Sequence, residues 1–227
     1  MIAPPPMHRR RWFRPAALWA ALFAVALLLD RPVYHLLLAP GTRHEDLAQV
    51  FRQLGYLPTW LIIALLVWIH DRHAPPRPRG LQAPGPARPP HHRAGLITLA
   101  ALLAGALANI LKPLIGRSRP DAEGLTHFQP RPAWLWGESG ELGLGLPSGH
   151  TAVAFGACGM VALLFPAWRV PMLLLASGCA LTRVLAGAHA FSDTVAAAGL
   201  GLAVAGWLHA RGEGPRRGPG GGLLPPG

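Results

Sequence analysis

Lysine is nearly missing from this chain, cysteine and acidic residues are scarce, and no internal repeat is evident. One of 227 residues is Lys, two are Cys and ten are Asp or Glu. Two cysteines in a chain of this length exclude a disulfide-stapled scaffold. Charged residues make up only 14% against 51% hydrophobic, which is too apolar for a disordered basic chain. The shortage of acid leaves a net charge of +11. A pI near 11.5 on its own suggests a nucleic acid or an anionic surface as partner. Amphipathic striping is missing too. The apolar residues come in blocks, and that distribution replaces the nucleic-acid reading with a bilayer.

About 20 apolar residues span a bilayer as a helix, because lipid offers the backbone no hydrogen-bond partners. Six stretches come close: 12–29, 55–69, 94–116, 148–168, 170–188 and 194–210. They lack the polar faces that helices of a soluble bundle need. Gly and Ala recur in the last four, as in Ala104-Gly105-Ala106, Gly156-Ala157 and Ala197-Ala198-Gly199, which suits close helix approach. The expected fold is all-α: a polytopic membrane protein whose domain, residues 12–210, is a bundle of six transmembrane helices. The first stretch has a basic start and an apolar core like a signal peptide. Asp30-Arg31-Pro32 follows it directly with no small-x-small cleavage pattern, so it is expected to stay as a helix ending there.

The remainder reads as connection. Residues 1–11 and 211–227 are expected to be disordered tails. Residues 70–93, rich in Pro and Arg, read as an extended linker in which His91-His92 is solvated, with no Cys or carboxylate nearby to make a metal pair. Residues 117–148 form a long loop whose Trp134-Leu135-Trp136 suits either the headgroup level or loop packing. Basic residues favour cytoplasmic loops. With the N-terminus inside, thirteen of the 21 fall on the inner side and eight outside, so both termini are expected in the cytoplasm.

Three polar clusters then share the outer side. Lys112 and Arg119 lie two helical turns apart, on one face if the helix survives Pro113 and Gly116. Two converging cations suit a phosphate-like dianion, and snorkelling side chains explain them as well. Ser148 is placed as the N-cap of the fourth helix, followed by Gly149 and His150, so backbone amides and an imidazole meet at a helix N-terminus. An ordinary capped helix start is the plainer account. His189 and Asp193 are spaced i,i+4 beside Arg183. Asp193 is expected to accept the Nδ1 proton of His189 and leave Nε2 free as a nucleophile, or else to pair with a cation. Together the three clusters form an inventory for attack on phosphorus: cations for the equatorial oxygens, one His to attack, one to protonate the leaving oxygen. No metal-ligand set is evident.

Lys112 with Arg119-Pro120, Pro147-Ser148-Gly149-His150, and Arg183, His189 and Asp193 resemble the three signatures of the type 2 phosphatidic acid phosphatase superfamily. One departure is Thr182, where the family usually has Ser before the Arg; it keeps the hydroxyl. The resemblance implies a metal-independent lipid phosphate phosphatase without cofactor, hydrolysing a phosphomonoester or diphosphate lipid at the outer leaflet. It implies His189 as the nucleophile forming a phosphohistidine, Asp193 as its orienting group and His150 as general acid, then base. Lys112, Arg119, Ser148, Gly149 and Arg183 would hold the phosphate. The expected partners are a membrane lipid phosphate and the bilayer, not nucleic acid; the expected location is a bacterial inner membrane with the site on the periplasmic side. Phosphatidic acid, phosphatidylglycerol phosphate, undecaprenyl diphosphate and lipid A phosphate stay open as substrates. A phosphotransferase using the same residues, or a non-catalytic transporter or scaffold, stays open as an alternative. Six membrane helices speak against a vanadate-dependent oxidase. Residues 31–54 and 117–148 are expected to form the headgroup entrance.

Overall fold

The computed structural model describes residues 9–39, 41, 44–74, 89, 91–128, 143–212, 216–217 and 223–224. Seven α-helices follow in order: α1 (Arg9–Leu37), α2 (Asp46–Gln53), α3 (Leu57–His73), α4 (His91–Ile115), α5 (Gly149–Leu164), α6 (Arg169–Leu185) and α7 (Phe191–Gly212). A 3-10 turn, Pro166–Trp168, joins α5 to α6, and two-residue strands β1 (Arg216–Arg217) and β2 (Leu223–Leu224) pair antiparallel. Among the described residues, four helical segments are long and apolar enough to cross a membrane: 16–37, 91–115, 166–185 and 191–212. The α2–α3 pair, bent by 66°, makes a fifth if counted as one span, and α5 is apolar but only 16 residues long.

The helix ends differ from the sequence reading in definite ways. The first helix starts at Arg9, inside the expected tail, and runs through Asp30-Arg31-Pro32 to Leu37. Proline removes a helical hydrogen bond and costs roughly 3 kcal/mol in a helix interior. Here Asp30 and Tyr34, both buried in that last third, offset it by docking on the rest of the bundle. His91-His92 opens α4 rather than lying in a linker, and the α3 helix continues to His73. Residues 46–53, expected as plain outer segment, form α2. The final helix extends to Gly212, past the expected boundary at 210. Trp134-Leu135-Trp136 lies outside the described residues, as does the middle of the Pro/Arg-rich linker.

The core is built on α5, which packs against α4, α6 and α7 and is buried without interruption from Thr151 to Met160. A helix enclosed all round needs no polar face, which is why this segment has none. Small residues set the spacing. A Cβ on Gly201 of α7 would stand 2.6 Å from the Gly156 backbone nitrogen and 2.7 Å from the Ala152 oxygen. One on Gly156 would meet the Ala100 oxygen and the Ala104 Cβ, both at 2.8 Å. Backbone atoms have nowhere to retreat to. Gly201→Ala should therefore force α5 and α7 apart and cost about 1–3 kcal/mol, the usual range for overpacking. A thermal unfolding midpoint equal to wild type would contradict this packing.

Candidate active site

Four chain segments meet at the ends of α4 and α6 and the starts of α5 and α7. Helix α4 stops at Ile115 because Gly116 takes a left-handed conformation (φ 65°) and its N–H returns to the Lys112 carbonyl at 2.8 Å. This is the αL cap that glycine adopts without steric cost. Arg119 therefore does not share a helical face with Lys112, as the seven-residue spacing predicted. It is carried back by an extended loop whose bridges pair Arg117 with Phe128 and Ser118 with Leu144. The Arg119 amide bonds to the Gly143 carbonyl and the Gly145 amide to the Arg117 carbonyl.

Ser148 is the N-cap residue of α5, with extended backbone. Its hydroxyl makes no cap bond; it accepts from the Thr151 hydroxyl at 3.0 Å, and its amide donates to the Asp193 carbonyl at 3.1 Å. His150 follows in the first turn. Its ring stands edge-on to Tyr56, centroids 4.6 Å apart, and Gly55 lies so close that a Cβ there would be 2.6 Å from the His150 Cβ and Cδ2. The α2–α3 corner thus holds the imidazole in place.

His189 precedes α7 rather than sitting on it; Gly187, with φ 62°, turns the chain between α6 and α7. The i,i+4 helical face expected for His189 and Asp193 does not form, yet the two meet: Nδ1 to Oδ2 is 3.5 Å. That is longer than an ordinary hydrogen bond, and His189 Nδ1 has no closer protein partner among the described residues. Catalytic hydrogen bonds in unliganded sites are often this loose and tighten with substrate. The third residue of α7, Asp193, closes its own helix start by accepting the Ala190 N–H at 3.0 Å. Both residues are buried. Burial pushes the His189 imidazole below its usual pKa, with Asp193 pulling the other way.

A cation also reaches Asp193. The Arg117 guanidinium, only 3% exposed, donates to Asp193 Oδ1 at 3.0 Å and to Asp30 Oδ2 at 2.6 Å. It also donates to the Ser192 hydroxyl at 2.5 Å and to Thr126 Oγ1. Asp30 in turn accepts the Ser192 N–H at 2.7 Å and its O–H at 2.6 Å. The sequence expectation offered His189 or a cation as the neighbour of Asp193; both are present.

A cavity of about 240 Å³ collects the clusters. Lys112, Arg119, Gly149, His150, Arg183 and His189 line it, joined by Gly55, Gly105, Asn109 and Val153. Ser148 and Asp193 stand behind this wall, fully buried. Sequence reasoning missed Asn109, one turn before Lys112 in an otherwise apolar run, and Gly55. A lone amide in an apolar helix was the signal for the first; nothing local marked the second. Nitrogens of Arg183 (Nε) and His150 (Nε2) are buried without protein hydrogen-bond partners among the described residues. Three cations and such donors around one small cavity favour a bound oxyanion.

Residues 93–214, more than half of the chain, match the PAP2 superfamily. The chain belongs to the PAP2 superfamily. A lipid A 1-phosphatase of Rhizobium etli is 39% identical over 110 residues, 47% of this chain and 43% of that protein. One of Rhizobium johnstonii is 38% identical over 110 residues, covering 41% of its length. The matched stretch thus spans less than half of these curated relatives. The crystal structure of a transmembrane PAP2-type phosphatidylglycerolphosphate phosphatase from Bacillus subtilis superposes with a TM-score of 0.59 at 17% identity, over 88% of this chain and 97% of that one. At that identity the likeness speaks for the fold. With its membrane-long helices, this PAP2 member is an integral membrane protein.

Proposed function

We propose that this PAP2 member is a lipid phosphate phosphatase working without metal through a phosphohistidine. The observation that carries the reading is the single cavity lined by residues of all three clusters. Lys112, Arg119, Arg183, Ser148 at the N-cap position and the backbone around Gly149 hold the phosphate oxygens. Asp193 orients His189, whose Nε2 attacks phosphorus as the P–O bond to the lipid breaks. His150 gives a proton to the leaving oxygen. Water then attacks the phosphohistidine, the P–N bond breaks, and His150 takes the water's proton. The cations neutralise charge that builds on the equatorial oxygens, which is the role a metal plays elsewhere.

The substrate is a lipid carrying a terminal phosphate. The two relatives named above are lipid A 1-phosphatases, which makes a phosphorylated glycolipid the first substrate to test. Purified protein offered a panel of lipid phosphates with EDTA present should release inorganic phosphate. Release that requires a divalent metal would overturn the mechanism. Transfer of phosphate to another lipid, with none released to water, would make the protein a phosphotransferase instead.

Six spans complete the proposal: α1, the bent α2–α3 pair, α4, α5, α6 and α7, with both termini cytoplasmic and the cavity facing the outer leaflet of a bacterial inner membrane. The bias of basic residues supports that orientation. A Cys introduced at Glu123 should react with an impermeant thiol reagent in intact cells, and one at Ala74 should not. Both positions are exposed, while the native Cys158 and Cys179 are buried. The reverse labelling pattern would invert the map.

A further inference from the structure

A second cavity, of about 340 Å³, lies against the first. Gln49, Arg52, Gln53, Tyr56, Pro58 and Thr59 line it, and all six precede the stretch that matches the superfamily. The α2–α3 corner forms the shared wall. Gly55 lines the first cavity, while its neighbour Tyr56 lines the second and stacks edge-on against His150. Tyr56 therefore lines the second cavity and touches a residue that lines the first.

This wall is built rather than incidental. Helix α2 is fixed on α6 by Phe51, whose ring fills the space over Gly178; a Cβ there would be 2.4 Å from it. Its terminal carbonyls are satisfied by α3, since Thr59 Oγ1 donates to Gln53 and Trp60 Nε1 to Leu54, each at 2.8 Å. Gln49, Arg52 and Gln53 are spaced i, i+3, i+4 and share a face. Leu47 and Val50 are exposed on another, where apolar side chains suit the membrane interface.

The charge on this wall lacks a counterion. Among the described residues no carboxylate pairs with Arg52, and its buried Nε has no hydrogen-bond partner. Its guanidinium lies 5.8 Å from the centre of the Tyr56 ring. Across the wall it acts on Arg183, a like charge that repels it. Lys112, Arg119 and Arg183 already face the phosphate cavity, so a fourth cation is more than one phosphate dianion needs.

Resting on the phosphatase reading, we propose that the α2 cavity is a headgroup subsite for a second anionic group of the lipid. That group sits beyond the scissile phosphate, with Arg52 as its counterion. The amides of Gln49 and Gln53 and the hydroxyls of Tyr56 and Thr59 suit a hydroxylated connection, a polyol or sugar, between the two anions. Arg52 here sets specificity and takes no part in the chemistry.

The test compares two lipids with the same acyl chains: phosphatidic acid, with one phosphate, and phosphatidylglycerol phosphate, with a second phosphate in the headgroup. Full-length wild type and Arg52→Gln are assayed in the same vesicles. Losing one charge-assisted contact should lower the ratio of kcat/KM for the two-phosphate over the one-phosphate lipid about tenfold, chiefly through KM. Arg52→Lys should restore part of that ratio. Partial misfolding affects both lipids alike and cancels from it. An unchanged ratio overturns the subsite, whether both activities stay or both fall. Wild type inactive on both of these lipids would overturn the subsite, and wild type inactive on a phosphorylated glycolipid as well would overturn the phosphatase reading with it.

Discussion

Replacing His189 with Ala should lower phosphate release by about 10⁴-fold or more, the scale seen when a catalytic nucleophile is deleted, and abolish any labelled phosphoenzyme. The side chain lines the cavity, is 2% exposed and stands 3.5 Å from Asp193. Alanine removes the attacking nitrogen and leaves the phosphate-holding cations in place, so substrate binding should outlast turnover. KM would then change far less than kcat. Retention of full activity would sink the proposed mechanism.

The same residue sets a pH dependence. Burial lowers the His189 pKa from its usual value near 6.5, and Asp193 only partly opposes this. An imidazole with a lowered pKa is neutral, hence nucleophilic, at pH 7 and stays so at 6.5. It protonates only on further acidification. The acid limb of kcat/KM, which reports groups of the free enzyme, should therefore fall below pH 6.5. A limb centred above that value would mean a His189 that is charged when it should attack.

Arg117→Ala should be the most destabilising single change at the site. It would strand Asp30 and Asp193, two buried carboxylates that now share one guanidinium at 2.6 and 3.0 Å. Removing one partner of a buried ion pair costs about 3–5 kcal/mol, because the remaining charge has lost both water and counterion. Thermal unfolding in detergent should drop accordingly, and kcat with it, since the Asp193 that faces His189 would lose its anchor. Arg117→Lys keeps the charge without the fork that reaches Ser192, Thr126 and both acids, so it should rescue stability only in part. An Arg117→Ala protein as stable and as active as wild type would show that this network positions nothing.

Asp30 illustrates where local reading ends. It lies 87 residues before Arg117 and 162 before Ser192, at what the sequence suggested was the end of a helix. Nothing near it in the chain hints at a partner, and Pro32 two residues later argues for a break. Only the packing of α1 against α7 brings it to the back of the site. Arg119 is the converse case: its place beside Lys112 was legible, while the reason was not a helical face but a glycine-capped turn.

Length and apolar content of a segment are local quantities, and lipid imposes one backbone solution on them. The sequence by itself therefore determined the all-helical membrane class. The three clusters were legible too, because each is a short polar stretch at the end of an apolar block. Tertiary structure alone decided what supports them: the Asp30–Arg117–Asp193 network, the Gly55 seat for His150, and an α2 helix that places Arg52 beside a second cavity. Those arrangements depend on which helices touch and how closely, and hydropathy carries no information about that.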